Sequence, residues 1–373
     1  MEIVVYCIAL LVVYYVIQIG LLGYGIFRVA PFVYSQPQPS ESIKFTLVVP
    51  FKNEAHNLHD LLHSIAALHY DKSCFEVILV NDFSTDDSVS VIQQWRLANP
   101  YVQVTILDNV VVSQSSKKDA ITRAVTVAKF NWIMTTDADC ILPKNILEHY
   151  ASYLLKNPEK EFLIGGVAIL NAPNFLSNYQ VIDFASLQAV TLGSYGIQEP
   201  FMCNGANLVF SKPIFARVGG YTGVNHIASG DDVFLLQKVL NYSAAHVGYV
   251  LSTACQVLTK PVLSWKALIV QRARWGKKTT AYQSFYAKNL GVFTVLTNFG
   301  VLFLLVSIFF KQFIWPCIGL LALKFVAEFV FLRCYQPYCA QLRLKYFTAS
   351  FFIYPVVTLI VSLRMVLFSK NWK

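Results

Sequence analysis

The 373-residue chain is 55% hydrophobic and 14% charged, with a formal net charge of +9 and a mean hydropathy of +0.50; this excludes a purely soluble protein. Through Asp232 it carries 14 Lys and Arg against 20 Asp and Glu, and beyond that point 16 against Glu328 alone, so the basic part can both anchor spans to anionic lipid and attract anions. Eight cysteines without a CxxC spacing argue against a disulfide framework or structural zinc site and fit reduced thiols.

Residues 1–28 predict a first transmembrane helix: no charge interrupts Ile3 to Phe27, long enough to cross about 30 Å of hydrocarbon. The segment opens with Glu2 and outruns the apolar region of a cleaved signal peptide, which favours an uncleaved anchor. Residues 29–43 read as a linker, because Pro37 and Pro39 in Ser35-Gln36-Pro37-Gln38-Pro39-Ser40 preclude a helix.

Residues 44–260 read as a water-soluble domain. Strands are predicted at Lys44 to Pro50, Phe75 to Val80, Val102 to Leu107 and Asn131 to Thr136. Helices are predicted at Glu54 to Leu68, Asp86 to Leu97 and Lys117 to Lys129, the first with Leu58, Leu61, Leu62, Ile65 and Leu68 on one face. The alternation implies a largely parallel sheet covered by helices on both faces. Ligands of such sheets bind beyond the carboxyl ends of the strands, and Glu54, Asp82 and the Asp137/Asp139 pair all follow a predicted strand.

Asp137 and Asp139, one residue apart at a strand end, can direct two carboxylates at one hard cation, Mg2+ or Mn2+, leaving positions for diphosphate oxygens; a pair of turn or cap aspartates is the structural alternative. Asp82 is placed to accept hydrogen bonds from a base or ribose, whereas Asp86 suits a helix cap. Glu54 can equally be a first-turn helix acid. Lys117 offers a phosphate contact, against a solvated surface pair with Lys118. Asp231 and Asp232 open a helix, where one carboxylate can cap and the other, Asp232, can take the proton of an attacking hydroxyl.

Residues 261–288 form a basic, aromatic stretch containing Gln271-Arg272-Ala273-Arg274-Trp275. It reads as an interfacial amphipathic helix, while guanidinium also suits bidentate diphosphate contact and indole a sugar face. Residues 289–373 carry three further spans, near Leu290–Phe310, Phe313–Leu332 and Phe347–Phe368. Lys324 and Glu328, four apart in the middle one, predict an internal ion pair, with contact to a lipid acceptor as the other role. Loop cations put the soluble domain on the cytoplasmic side of a multi-pass cell-membrane protein, although Lys370 and Lys373 then lie on the far side.

In this order the motifs resemble family 2 glycosyltransferases with the GT-A fold, an α/β Rossmann-like nucleotide-diphospho-sugar transferase domain, in the membrane-embedded group related to cellulose, chitin and hyaluronan synthases. The resemblance rests on Val48 to Glu54, the Asp82 segment, Lys117, Asp137-Ala138-Asp139, Cys203-Asn204-Gly205-Ala206-Asn207, Gly230-Asp231-Asp232 and Gln271 to Trp275. It implies that Pro50, Glu54, Asp82, Lys117 and Asp137 hold the nucleotide, commonly a uridine diphosphate, and that Asp137 and Asp139 hold Mg2+ or Mn2+. It further implies that Asn204, Gly205, Asp231, Gln271, Arg274 and Trp275 line the sugar and acceptor sites, with Asp232 as the base of a single inverting displacement. Two departures stand out: Asp231-Asp232 where the family often has Glu-Asp, and Ser116 where it often has Gly before the lysine.

The expected activity is metal-dependent transfer of a sugar, from a nucleotide-sugar donor to a lipid-linked or membrane-proximal saccharide acceptor at the bilayer. Nothing points to nucleic acid. The alternatives are a processive polysaccharide synthase, disfavoured by only three spans after the domain, and a catalytically silent nucleotide-binding scaffold, disfavoured because its carboxylates would have no task. A small transporter is disfavoured by so large a soluble domain.

Overall fold

Four strands of continuous or near-continuous apolar sequence lie side by side in parallel: β1 (Phe45–Phe51), β2 (Phe75–Asn81), β3 (Gln103–Asp108) and β4 (Trp132–Thr135). In this computed structural model the described residues are 2–35, 42–310 and 313–367. Residues 36–41 of the proline-bearing linker, and Phe368, Lys370 and Lys373, lie outside them. β1 and β2 are buried along almost their whole length, as strands covered on both faces require. β3 is the edge, and its residues stay partly exposed. Helices α2 (Ala55–Ala66), α3 (Ser88–Ala98) and α4 (Ser116–Val127) follow β1, β2 and β3. Leu58, Leu61, Leu62 and Ile65 of α2 form the buried stripe that the sequence predicts.

The second half of the sheet departs from the parallel expectation. Its full order is β3-β2-β1-β4-β8-β6-β9, with β6 (Phe162–Gly165), β8 (Leu208–Ser211) and β9 (Val247–Val250). β8 runs antiparallel to both β4 and β6, so its first residues start where β4 ends. A second, three-stranded sheet joins β5 (Cys140–Ile141), β7 (Val167–Ile169) and β10 (Val257–Thr259). Helices α5 (Ile146–Lys156), α7 (Lys212–Arg217) and α8 (Asp231–Tyr242) complete this unit, which comprises Ala30–Ile169 and Met202–Lys260.

The other unit gathers Met1–Val29, Leu170–Phe201 and Pro261–Lys373. Leu170–Phe201 therefore folds with the helical part and interrupts the expected 44–260 domain, because α6 (Phe175–Gly196) packs on α1 (Glu2–Arg28). The contact is made by backbone: a Cβ on Gly193 would collide with the carbonyl of Leu22, and one on Gly25 with that of Gly193. Small residues permit such close approach between helix backbones.

α9 (Trp265–Thr279), α10 (Phe285–Ser307), α11 (Ile314–Tyr335) and α12 (Phe347–Leu367) follow. Among the described residues four helices are long and apolar enough to cross a membrane: Glu2–Arg28, Phe285–Ser307, Ile314–Tyr338 and Leu344–Leu367. α1, α10 and α11 share a core of Val5, Ile8, Val12, Val301, Leu304, Phe313, Cys317 and Leu321. The expected ion pair is present in α11, Lys324 Nζ donating to Glu328 at 2.7 Å, and the Tyr15 hydroxyl donates to the same carboxylate at 2.7 Å.

Candidate functional site

Register alone assembles the acidic edge. Phe51 pairs with Asn81 and Asn81 with Asp108, so the residues after β1, β2 and β3 emerge together. The amide of Thr136 continues the β4 ladder by donating to Val48 at 3.1 Å, which delivers Asp137 and Asp139 to the same edge. Leu208 pairs with Thr135, so antiparallel β8 brings Asn204 and Gly205 alongside. Thr259 pairs with Cys140 and thereby reaches Asp139.

Lys117 ties three sequence-distant pieces together. Its Nζ lies 2.6 Å from Asp137 Oδ1 and 3.3 Å from Asp231 Oδ2. Burial alone would favour the neutral amine, but Asp137, Asp231 and Asp232 outweigh it and hold the ammonium well above its ordinary range. The Gly205 amide donates to Asp232 Oδ2 at 3.2 Å, and the Val233 amide to Asp232 Oδ1 at 2.7 Å. These two backbone donors fix the orientation of the carboxylate, and a carboxylate with about four lone-pair sites can accept a further proton donor. A Cβ on Gly205 would sit 2.8 Å from Asp231 Oδ2, so glycine is what lets the backbone come this close.

Asp139 is a carboxylate in an acidic setting. Burial, then Asp137, then Glu54 push its pKa up, partly countered by the Thr259 hydroxyl donating at 3.2 Å. A cation at this spot would relieve the repulsion, so the two aspartates suit a hard divalent ion that takes its remaining ligands from substrate and water. Among the described residues no group of three or more His, Cys, Asp or Glu is arranged to hold a metal.

Asp82 follows β2, its Oδ1 accepting from Asn109 Nδ2 at 2.8 Å and its Oδ2 lying 3.7 Å from Lys52 Nζ. Pro50 lies within β1. Glu54 immediately precedes α2 and accepts from Asn57 Nδ2 at 2.7 Å without capping the helix. Asp86, expected as a helix cap, stands one residue before the cap position, which Asp87 occupies; its oxygens accept from the amide of Ser88 at 3.0 Å and of Ala55 at 3.1 Å, the first residues of α3 and α2. Asn204 caps the short turn Gly205–Asn207, accepting from the Ala206 amide at 3.0 Å.

The solvated-pair alternative for Lys117 and Lys118 is overturned. Lys118 is fully buried and donates to the carbonyls of Val224 and Ile227 at 2.7 Å each, bracing the loop that leads to Gly230. Asn109 and Thr259 support the site without having been singled out in the sequence. Nothing in their local pattern marks them, because each partner comes from another element.

Gln271, Arg274 and Trp275 lie on α9 in the helical unit. Here the expectation that the basic residues face lipid or substrate fails for Arg272, which is buried with its Nε 2.6 Å from Asp183 Oδ2 of α6. Its guanidinium lies 4.2 Å from the Trp275 ring centre and its Nη1 donates to Gln271 Oε1 at 2.6 Å. Arg274 remains exposed. With Gln271, Lys266 and Val270 it lines an open cavity of about 490 Å³ along one face of α9.

Comparison with known proteins places these observations. Residues 42–278 match the family described as Glycosyltransferase like family 2. The chain is 25% identical over 235 residues to the poly-beta-1,6-N-acetyl-D-glucosamine synthase of Staphylococcus aureus (strain COL), covering 62% of this chain and 53% of that protein. It is 24% identical over 267 residues to the protein of the same name from Staphylococcus epidermidis, covering 69% and 61%. The chain thus spans about half to three-fifths of the length of these curated relatives. Among solved structures, the mannosyltransferase PcManGT from Pyrobaculum calidifontis, in complex with GDP-Man and Mn2+, has a similar fold, with a TM-score of 0.59 at 16% identity over 98% of this chain and 100% of that one.

Proposed function

The chain belongs to glycosyltransferase-like family 2, and from that premise we propose that it is a membrane-bound, inverting glycosyltransferase that moves a sugar from a nucleotide-diphosphate sugar to a lipid-linked or membrane-proximal saccharide acceptor. The observation that carries this reading is the Lys117 bridge between Asp137 and Asp231, with Asp232 fixed beside them by the Gly205 amide. Acids 94 and 95 positions downstream of Asp137 in sequence share one cation with it, an arrangement a scaffold does not need. The relatives' printed names support an N-acetylglucosamine donor, and the family resemblance supports uridine as its base.

In this reading Asp82 and the end of β1 hold the nucleoside, and Lys117 turns from its aspartates to the diphosphate. Asp137 and Asp139 would hold Mg2+ or Mn2+, which when bound supplies positive charge for the departing diphosphate. The acceptor hydroxyl oxygen attacks the anomeric carbon as the bond to the diphosphate breaks, the leaving group keeping the electron pair. Asp232 accepts the hydroxyl proton. Asn204 and Gly205 shape the sugar pocket, and Gln271, Arg274 and Trp275 serve diphosphate and acceptor. The four apolar helices support a multi-pass membrane location, and the cations of the connecting loops support a cytoplasmic catalytic unit.

The test is release of nucleoside diphosphate from a panel of nucleotide sugars with Mn2+ or Mg2+ and oligosaccharide or lipid-linked acceptors. Turnover with one donor is expected. Nucleotide binding with no transfer from any donor would favour the silent scaffold instead.

A further inference from the structure

β1 and β2 end side by side, and just beyond each end a non-glycine residue adopts the left-handed conformation: Asn53 at φ 56° and Phe83 at φ 57°. Asparagine visits this region readily, but in a phenylalanine the Cβ crowds the following carbonyl. Four hydrogen bonds enforce it. The Asp82 amide donates to Phe51 at 2.8 Å, the Ser84 amide to Asn81 Oδ1 at 2.9 Å, the Asn53 amide to Ser84 Oγ at 3.0 Å, and the Thr85 amide to Asn53 Oδ1 at 2.7 Å.

What this strain secures is not packing, because Phe83 is 57% exposed. A core role would bury the ring, and a turn role would select glycine or asparagine. Isolated exposed hydrophobic residues are ordinary on protein surfaces. This one is set apart by an enforced, disfavoured backbone and by its place directly after Asp82, whose carboxylate is already oriented by Asn109 and flanked by Lys52. Strain of this kind gathers at ligand clamps, and a flat apolar face beside a hydrogen-bond acceptor matches the two needs of a nucleoside: stacking for the base and polar contact for its edge or ribose.

We propose that Phe83 is the stacking platform for the donor's nucleobase and so a determinant of nucleotide affinity; this rests on the transferase reading above. Stacking on an aromatic side chain is a sequence-tolerant contribution whose removal weakens binding by at least about fivefold. Phe83 acts on binding and not on the chemical step, so KM for the donor changes while kcat holds.

The experiment titrates the full chain in detergent with UDP, GDP and ADP, and separately with pyrophosphate, all with Mn2+, for the parent and for F83N, F83G and F83W. Asparagine and glycine accommodate the left-handed turn, so melting temperature is expected to hold or rise in F83N and F83G. Affinity for the preferred nucleoside diphosphate is expected to fall at least about fivefold while pyrophosphate binding is unchanged; F83W should retain nucleotide affinity. Parental nucleotide affinity in F83N and F83G, or an equal loss for nucleotide and pyrophosphate, overturns the proposal. A parent protein that binds none of the three nucleotides overturns the transferase reading, which separates that failure from the failure of stacking alone.

Discussion

Replacing Lys117 by methionine should change two affinities in opposite directions. The ammonium makes a 2.6 Å contact with Asp137 and a 3.3 Å contact with Asp231, and about a third of the side chain is exposed. A hydrogen bond to a charged group contributes about 1.5–3 kcal/mol, and the partial exposure puts this one at the lower end through solvent screening. Losing it should weaken nucleoside diphosphate binding by roughly tenfold, since a charge-assisted phosphate contact goes with it. The same change releases Asp137 from its internal cation, so Mn2+ added without nucleotide should bind roughly tenfold tighter. Calorimetry with Mn2+ alone and with UDP at saturating Mn2+ reads both. K117R should not restore the parent, because the larger guanidinium must fit beside the Gly205 backbone, where an added Cβ would already lie 3.5 Å from Nζ. Unchanged Mn2+ affinity in K117M would refute the view that this lysine competes for the metal carboxylates, and unchanged nucleotide affinity would refute its phosphate role.

Asp232→Asn, by losing the general base, and Asp139→Asn, by losing a carboxylate for the metal, should each reduce turnover by at least about a hundredfold, with melting temperature near that of the parent; retained turnover in either variant removes its residue from the assigned role. Gly205→Ala should reduce kcat/KM by at least tenfold and lower stability by about 1–3 kcal/mol through overpacking, because the new Cβ meets Asp231 Oδ2 at 2.8 Å; a silent substitution would mean the backbone there is free to retreat. Asp183→Asn should destabilise the helical unit by about 3–5 kcal/mol by leaving Arg272 buried without its partner. At about 2.1 cal/mol/K per residue over that unit, this is a fall of roughly 8–14 °C in its melting temperature. The double variant with Arg272→Met should recover part of the loss, and simple additivity of the two would show that the pair is not coupled.

Much of the acidic edge was legible because parallel strands impose their own rule: an acid after a buried apolar run must emerge at the carboxyl end of the sheet, whatever its distance in sequence. Asp82, Asp137 and Asp139 were found in this way; the cap position of α3 fell instead to Asp87, one residue beyond the expected Asp86. The partners were not legible. Lys117 and Lys118 are adjacent and chemically identical, yet one bridges two aspartates and the other is buried under loop carbonyls; neighbouring positions on a helix point about 100° apart, and the sequence did not set the phase. Antiparallel β8 and the short β10 carry too few residues to announce their direction, so the arrival of Gly205 and Thr259 could only be seen in three dimensions. Arg272 looked like one more cation in an acid-free stretch, and its acid came from Asp183, 89 positions upstream.

The excursion through Leu170–Phe201 has a topological consequence. The polypeptide passes from one unit to the other after Val29, Ile169, Phe201 and Lys260, four covalent crossings where a simple anchored enzyme would have one or two. Neither unit is a contiguous stretch, so neither can be expressed whole by trimming a terminus. A protease that nicks any single junction leaves the units fastened by the other three, which makes this chain a poor candidate for release of the sheet-bearing unit by cleavage.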